Sequence, residues 1–440
     1  MRKFITAAAL AAPLGLVQPA LAAPAPKFGD PVKVGDGLTL DPIVDARLRW
    51  EHVDQPTTPT FTGEADAVTL RLRAGVELRH ASGLSALVEG EGTLAIGADY
   101  NAFPFAVAVG QRRPQFSVVP DPENIDLNRA QIQYKSKAAT LTLGRQRINI
   151  DDQRWVGSVA WRQNEQTFDA VRAEAKLGPI AVDATYAISQ RTIFGIDAGR
   201  TADFAPGAGP RQDYDGDFVF LNATAKAGPV NLRAFAYLLD YDPVFFRANS
   251  SQSYGGKATG SFPIAPKLKL NLMASYARQS DYGSNPVAYA ADYIAGEGGL
   301  AIDKLTLTAG YEELGSDRAA AAGASRAVQM PMATLHKFNG WADLFLTTPA
   351  KGLRDTYVGA AYKFDGIKAL PGLNAAVIWH NFDSDVGGLD FGDEWNASLG
   401  FKLGQVAVLA KYANYKRHGA ADFAGDQDTE KFWLQAEVSF

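Results

Sequence analysis

Side chains that could bind a charged ligand are concentrated in one stretch of the sequence, Gly144–Arg172. A guanidinium group is planar and holds carboxylates or phosphates through two parallel hydrogen bonds. The stretch could therefore be a nucleic-acid patch, a site for an acidic ligand or a salt-bridged loop. Its five arginines, four carboxylates and two tryptophans are Arg145, Arg147, Arg154, Arg162, Arg172, Asp151, Asp152, Glu165, Asp169, Trp155 and Trp161.

Composition narrows these choices. The chain of 440 residues has no cysteine, which excludes disulfides and thiolate metal sites. Its formal net charge is −5, or about −7 once Arg2 and Lys3 are removed with the N-terminal segment described next. Nucleic-acid-binding proteins carry a basic face or an overall basic charge. We therefore expect no nucleic-acid partner.

The N-terminus has the pattern of a secretory signal peptide. Arg2 and Lys3 precede an apolar run, Phe4–Val17, and Ala20-Leu21-Ala22 supplies a small-x-small cleavage pattern. The apolar run is shorter than the roughly 20 residues that a membrane-spanning helix needs. We predict that residues 1–22 are cleaved and that residues 23–42 form a short periplasmic lead.

Apolar and polar residues alternate with period two through the rest of the chain. Such alternation over eight or more residues is typical of strands rather than helices. Ile43–Val53 and Val68–Arg79 are the clearest cases, and eighteen segments of this kind lie between Ile43 and Phe440. No linker-like change of composition separates them, so residues 43–440 are predicted to form one domain.

The connections between these segments alternate in length. Short links such as His80–Gly83 and Leu177–Pro179 carry turn residues, whereas Ile148–Asn164 and Leu314–Asp355 are long. An even number of strands with short periplasmic turns and long external loops is the pattern of an outer-membrane barrel. The sequence therefore predicts an all-β fold, a transmembrane antiparallel up-and-down β-barrel of 18 strands in the Gram-negative outer membrane.

The C-terminus orients this barrel. Every second residue from Phe432 to Phe440 is apolar, and the chain ends on the aromatic residue itself. A terminal strand of this kind resembles the signal that the barrel-assembly machinery reads, and it would end on the periplasmic side. By parity, Ile148–Asn164 and Leu314–Asp355 are then extracellular. A soluble all-β protein is the alternative, although no repeated propeller motif is visible.

If the apolar face contacts lipid, the polar face lines the lumen. An arginine or lysine that faces lipid at the midplane costs about 2–4 kcal/mol in such barrels. The strands supply a ladder of arginines to the lumen: Arg47, Arg49, Arg71, Arg73 and Arg129. These cations would attract an anionic solute, or they would pair with carboxylates on neighbouring strands. The sequence is compatible with both roles.

Strict alternation creates a difficulty at Arg145 and Arg147. If Leu141 and Leu143 face lipid, alternation sends both arginines outward as well. This orientation is costly unless the two arginines lie at the membrane interface, or unless a β-bulge near Gly144 or an irregular rim turns them into the lumen. We expect this inward orientation.

Two stretches resemble the alginate-export family of outer-membrane porins. They are LGRQRINIDDQRWVGSVAWRQNEQTFDAVR (Leu143–Arg172) and MATLHKFNGWADLFLTTPAKGLRDTYVGAAYKF (Met332–Phe364). The resemblance implies an 18-stranded monomeric barrel whose arginine-lined lumen conducts an anionic uronate polymer outward. It further implies that six residues of the first stretch belong near the constriction of the pore: Arg145, Arg147, Asp151, Asp152, Arg154 and Arg162.

Other functions are weighed against export of an anionic polysaccharide such as alginate. A general or small-anion porin is the main competitor, and a hydrolase embedded in the barrel wall is a distant one. No G-x-S-x-G, H-E-x-x-H or phosphate-binding glycine loop occurs, and the five histidines are scattered, so no enzyme activity is expected. A TonB-dependent transporter is disfavoured because about 20 residues are too few for a plug domain.

The expected partners follow from this class. They are the anionic polysaccharide, outer-membrane lipid and lipopolysaccharide, and periplasmic export proteins. No cofactor is expected. Calcium on external loops is a weaker hypothesis, because two short stretches alternate oxygen-bearing side chains without completing an EF-hand. These are Asp213, Asp215 and Asp217, and Asn381, Asp383 and Asp385.

Overall fold

In a computed structural model, this protein folds as a closed antiparallel β-barrel of 18 strands. The structure describes residues 29–56, 63–103, 110–199, 212–317, 326–419, 422–423 and 425–440. The predicted signal peptide, residues 1–22, lies outside these ranges, as do residues 23–28 of the predicted lead. Among the described residues, no helix is long and apolar enough to cross a membrane.

The barrel strands are β2 to β19, and a short strand, β1 (Val32–Gly35), precedes them. Each barrel strand pairs with its neighbours in the sequence, and β19 pairs with β2 to close the barrel. The bounds are β2 Leu38–Asp54, β3 Ala65–His80, β4 Leu84–Asp99, β5 Asn124–Lys135, β6 Ala139–Gln146, β7 Thr167–Leu177, β8 Ile180–Arg191, β9 Asp213–Ala227, β10 Val230–Tyr241, β11 Ser251–Ala265, β12 Leu268–Asp281, β13 Ala290–Ile302, β14 Leu305–Leu314, β15 Leu353–Lys363, β16 Asn374–Asp383, β17 Asp390–Leu403, β18 Val406–Arg417 and β19 Thr429–Ser439.

The predicted fold class and strand number are confirmed. The first barrel strand begins at Leu38, five residues before the predicted Ile43, because Leu38–Leu40 pair with β1. Three short 3₁₀ turns, Ile196–Gly199, Arg247–Asn249 and Leu335–Lys337, are the helical elements of the described chain. The alternation of apolar and polar residues therefore predicts the barrel wall well.

The two faces of the wall differ as the alternation requires. On β3, Leu70 and Leu72 are exposed on the outer face, whereas Thr69, Arg71 and Arg73 point inward and are buried. The lumen is not polar throughout. An apolar cluster fills its extracellular half on the side of β8–β17, and it includes Phe218, Phe220, Tyr241, Val328, Met330 and Met332.

Candidate functional site

Two long extracellular segments fold back into the barrel and determine what remains of the lumen. The first lumen loop is residues 147–166, between β6 and β7, and the second lumen loop is residues 326–352, between β14 and β15. The two loops contact each other, since Gly157 N donates to the Met332 carbonyl (2.9 Å) and Thr334 N to the Gln153 carbonyl (3.1 Å). Sequence parity places both segments outside the barrel but does not reveal that they turn inward.

Arg47 on β2 holds the first lumen loop against the barrel wall. Its Nη1 atom lies 3.0–3.2 Å from the carbonyl oxygens of Ala160, Trp161 and Arg162. Its Nε atom donates to Glu437 on β19 (3.1 Å). The Arg47 side chain is therefore bound to the loop backbone and to Glu437, and it does not project into open lumen.

Arg49 and Arg162 form a buried charge network beneath the same loop. Arg49 Nη2 donates to the Trp161 carbonyl (2.6 Å), and its guanidinium lies 4.1 Å from the centre of the Trp161 ring. Arg162 Nη2 donates to Glu51 (2.6 Å), and both guanidinium groups lie 3.6 Å from Asp121. Isolated buried charges are unfavourable, and these charges are therefore paired.

The remaining strand arginines are also paired. Arg71 contacts Asp45 and Glu437, Arg73 contacts Glu91 and Glu165, and Arg129 contacts Glu89, with bidentate geometry in the last case (2.6 and 2.8 Å). All three arginines face inward as expected. Arg71 and Arg73 are nevertheless almost completely buried. The sequence is compatible with two roles for these arginines, attraction of an anionic solute and pairing with carboxylates. In the structure they pair with carboxylates.

The structure separates Arg145 from Arg147. Arg147 turns inward onto Glu165, with contacts of 2.5–3.0 Å. Burial opposes ionisation of Glu165, but Arg147 and Arg73 outweigh it and hold the pKa of Glu165 below its usual range. Arg145, by contrast, follows Leu143 in unbroken register opposite Ala130 and is on the outer face.

The expected inward rotation at Arg145 is therefore wrong. Gly144 adopts a φ of +111°, and a Cβ there would lie 2.4 Å from the Ala130 carbonyl oxygen, but the strand register does not shift. Arg145 instead pairs with Asp169 through two bonds (2.8 and 2.9 Å). Its position near the extracellular end of β6 makes an outward charge tolerable, because the cost falls to about 0–1 kcal/mol at the membrane interface.

The second lumen loop is held by carboxylates on the opposite wall. Glu394 accepts hydrogen bonds from the backbone N–H groups of Trp341 (2.5 Å) and Ala342 (2.9 Å). Glu312 accepts from Asn339 (2.7 Å) and from Arg154 of the first lumen loop (2.7 Å). Arg154 is therefore a bridge between the two loops and the wall, not an exposed ligand group.

A buried histidine lies where the two loops meet. His336 stacks on Trp161 with ring centres 4.3 Å apart, and its Nδ1 and Nε2 atoms lie 2.8 Å from Asp343 and 2.7 Å from Lys411. Burial lowers the pKa of His336 to about 3, against the opposing attraction of Asp343. The imidazole is therefore neutral at pH 7, donating from Nδ1 to Asp343 and accepting at Nε2 from Lys411. Lys411 Nζ also lies 3.7 Å from the centre of the Trp341 ring.

A cavity of about 870 Å³ remains in the lumen beside β9–β16. Asp151 and Asp152, at the tip of the first lumen loop, project into it. Lys257 Nζ lies 2.9 Å from Asp151 and 2.5 Å from Asp152, and Arg233 lies 3.7 Å from Asp151. Asp151, Asp152, Arg233 and Lys257 form an acid–base cluster on this cavity. Within the Gly144–Arg172 stretch, the cavity is lined by Ile150, Asp151, Asp152, Arg154 and Trp155.

Two further lysines line the same cavity. Lys226 lies at the periplasmic end of β9, and Lys337 of the second lumen loop donates to the Asp152 carbonyl (2.7 Å). Burial lowers the pKa of Lys337. The alternation on β10 is compatible with an inward Arg233, whereas the alternation on β11 is too weak to assign a face to Lys257. Lys337 has no periodic signal at all.

Three of the six residues considered for calcium contact other side chains. Asp213 pairs with Arg191, Asp217 accepts from Tyr186, and Asp385 pairs with Arg354. Within the described ranges, no group of three or more histidine or carboxylate side chains is arranged to hold a metal ion.

Comparison with known proteins agrees with this architecture. Residues 40–189 match the model of the alginate export family. No curated protein matches the chain. Three solved barrels are similar to it across 91% of its length. Acinetobacter baumannii OccAB3 is 16% identical and covered over 99% of its own chain, with a TM-score of 0.67. Pseudomonas aeruginosa OccK9 (OpdG) is 13% identical and covered over 98%, with a TM-score of 0.67.

The third is the Pseudomonas aeruginosa OpdK structure with vanillate, which is 14% identical and covered over 98%, with a TM-score of 0.65. At these identities the likeness concerns the fold. The predicted location in the Gram-negative outer membrane and the predicted family resemblance are both confirmed, the latter over residues 40–189. The chain is thus an outer-membrane β-barrel with the fold of a porin, and residues 40–189 match the alginate export family.

Proposed function

We propose that this protein is a passive outer-membrane channel for anionic saccharides, with a uronate polymer such as alginate as the first candidate substrate. The observation that carries the proposal is the convergence of cationic side chains on the lumen cavity of about 870 Å³. Lys226, Arg233, Lys257 and Lys337 all line it. Five carboxylates line it as well, and two of them, Glu312 and Asp355, already pair with Arg154 and His380. Basic side chains along a pore set a preference for anions. The match of residues 40–189 to the alginate export family supports the same substrate class.

The cluster at Asp151 and Asp152 suits transport better than tight binding. In the empty channel these carboxylates neutralise Lys257 and Arg233. A uronate carboxylate that enters the cavity exchanges with them, so the lysine and arginine are never left unpaired. Because the internal carboxylates compete, each contact stays weak, and weak contacts at several sites let an anion keep moving.

The buried arginines have a different part in this proposal. Arg47, Arg49, Arg73, Arg154 and Arg162 bind loop backbone or buried carboxylates, and they hold the two lumen loops in place. They define the width of the path rather than contact the solute. A cavity of about 870 Å³ is near the upper end of the roughly 300–1,000 Å³ that accommodates drug-sized ligands, so it has room for more than one sugar.

A small-anion porin is the second candidate. The observation in its favour is that both lumen loops occupy the extracellular half of the barrel, where they contact Gln279, Glu312 and Glu394. A narrowed lumen favours small solutes over a polymer. The OpdK structure, which has a similar fold, was determined with vanillate, a small carboxylate. Two expectations go with the first candidate function and not with the second. They are that the barrel functions as a monomer and that periplasmic export proteins deliver the polymer to it.

Conductance in planar bilayers tests the proposal. The wild-type channel should prefer anions, and oligouronates should block its current whereas neutral oligosaccharides of equal length should not. Lys257→Ala and Arg233→Ala should each weaken the block, while Lys416→Ala, a charge loss at the exposed extracellular end of β18, should leave it unchanged. Passage of monovalent carboxylates without any block by oligouronates would favour the small-anion porin. A cation-selective wild-type channel would contradict both candidates.

A further inference from the structure

A second cleft opens on the inner wall at the periplasmic mouth of the barrel. It has a volume of about 430 Å³ and lies between the β5–β6 turn and the periplasmic ends of β7, β8 and β9. Lys135, Lys137 and Lys176 line it, together with the hydroxyl and amide groups of Thr140 and Asn222. The cleft is therefore basic, with neutral hydrogen-bonding groups around the charges.

The carboxylates of this cleft are already occupied. Arg172 Nη2 lies 2.6 Å from Asp183 and 3.3 Å from Glu174. Among the residues that the structure describes, no carboxylate lies within 4.0 Å of the ammonium groups of Lys135, Lys137 or Lys176. Most other basic side chains near the lumen have a carboxylate partner, so these three lysines are free to bind an anion.

Arg233 connects this cleft to the main cavity. Its side chain lines both spaces, and beyond it lies Lys257 with Asp151 and Asp152. Lys226, near the periplasmic end of β9, lines the main cavity at the same level as the cleft. The basic side chains thus form a continuous track along the wall of β5–β11, which runs from the periplasmic rim to the cluster at the tip of the first lumen loop.

We propose that this cleft is a recruitment site for the acidic groups of an anionic saccharide chain on the periplasmic side. Lys135, Lys137 and Lys176 bind a carboxylate there, and Arg233 passes it to Lys257. The inference rests on the proposed function and adds a direction to it, because a charged funnel raises the local concentration of an oppositely charged solute and its association rate from one side. The extracellular half of the barrel is occupied by the two lumen loops.

The register of β5 favours a solute over the headgroups of the inner leaflet. Ile132 and Tyr134 are exposed on the outer face. Lys135 alternates with Ile132 and Tyr134 and lies two residues beyond Gln133, whose side chain bonds Thr142 inside the barrel. Lys135 and the cleft therefore face the lumen, where lipid phosphates do not reach.

Channels inserted in a known orientation test this site. Oligouronate is added to one chamber at a time, and the rate at which blocking events begin is measured for the wild type and for the double variant Lys135→Gln, Lys176→Gln. The matched control is Lys368→Gln, Lys402→Gln, which removes two lysines from the same rim on the opposite wall, at β15–β17. At low salt we expect the double variant to lower the periplasmic rate about 3- to 10-fold and to leave the extracellular rate unchanged.

Three results would overturn the proposal. Equal loss in the control variant would mean that only the total charge of the rim matters. A periplasmic rate equal to that of the wild type would mean that the cleft does not recruit the anion. A wild-type channel that uronates block from neither side would contradict the proposed function, and the recruitment site with it. The first two results leave the channel's anion preference intact, so the two failures are distinguishable.

Discussion

The guanidinium group of Arg49 lies 4.1 Å from the centre of the Trp161 ring and donates a 2.6 Å hydrogen bond to the carbonyl of the same residue. One strand side chain therefore holds both the ring and the backbone of a loop that is about a hundred residues away in the sequence. The Arg49 side chain is completely buried. The width of the lumen on this side depends on whether the loop stays docked.

Replacement of Arg49 by alanine should release the first lumen loop. Loss of one partner from a buried charge network costs about 3–5 kcal/mol, because the partner charges remain buried and unpaired. The barrel wall keeps its backbone hydrogen bonds, so we expect a folded protein with a larger and noisier single-channel conductance. Arg278→Ala, which removes an arginine from the exposed outer face, is the control. Unchanged conductance in Arg49→Ala would argue against the docking role.

Replacement of Gly340 by alanine should disturb the second lumen loop. Gly340 has a φ of +82°, and an added Cβ would lie 2.3 Å from Oε2 of Glu394, the carboxylate that accepts from Trp341 and Ala342. A non-glycine residue held in this region costs about 1–3 kcal/mol. We expect increased cleavage of the loop by added protease in outer-membrane vesicles. Gly366→Ala is the control. Gly366 also has a positive φ (+76°), but an added Cβ there meets no other atom, so this variant has the backbone strain without the steric clash.

The docked loops should loosen as the pH falls. The pKa of His336 in the folded protein is about 3, below its ordinary value of 6.5. Between these values the undocked histidine binds a proton that the docked one does not, so docking is fully favoured above pH 6.5 and weakens as the pH falls toward 3. Conductance noise measured from pH 7 to pH 4 should rise. His336→Gln should make that rise smaller than in the wild type, and an identical pH profile for both would exclude His336 as the cause.

Removal of the internal carboxylates should convert weak anion binding into stronger binding. Asp151→Asn with Asp152→Asn leaves Lys257 and Arg233 without competing partners, and asparagine tolerates the positive φ of Asp151 (54°). We expect uronate block to last about 2- to 10-fold longer, on the scale of exposed ion pairs. Asp365→Asn, on an exposed periplasmic turn, should leave the duration unchanged. Shorter blocks in the double variant would show that Asp151 and Asp152 do not compete with the solute.

The barrel wall is predictable from the sequence because its signals come from residues that are close together in the chain. Alternation fixes which side chains of β2 and β3 face inward, and the rhythm of turn lengths fixes the topology. The site is not local in this sense. Arg49 contacts Trp161 and Gln435, and Glu394 contacts Trp341, and no periodic pattern connects such distant positions. A long external segment has the same signature whether it extends into solvent or folds back into the lumen.

Arg145 illustrates a second limit. The sequence identifies a conflict between its charge and its phase on β6, but two remedies were available, a change of register or a position near the interface with a partner. Only the location of Asp169 across the strand pair decides between them. The basic track on the wall of β5–β11 is a third case. Its members, including Lys257 and Lys135, come from strand ends and a weakly periodic strand, and the curvature of the closed barrel brings them together.

The double contact of Arg47 has a consequence for the order in which this protein folds. Arg47 binds the carbonyls of the first lumen loop and also Glu437 on β19, the last strand of the chain. β19 is synthesised after β2 to β18, and it meets β2 only when the two ends of the sheet join. The complete docking surface for the loop therefore does not exist in an unclosed barrel. The first lumen loop therefore docks fully only after β19 has paired with β2. A barrel that has not closed has a wide lumen, and a narrowed lumen indicates a closed barrel.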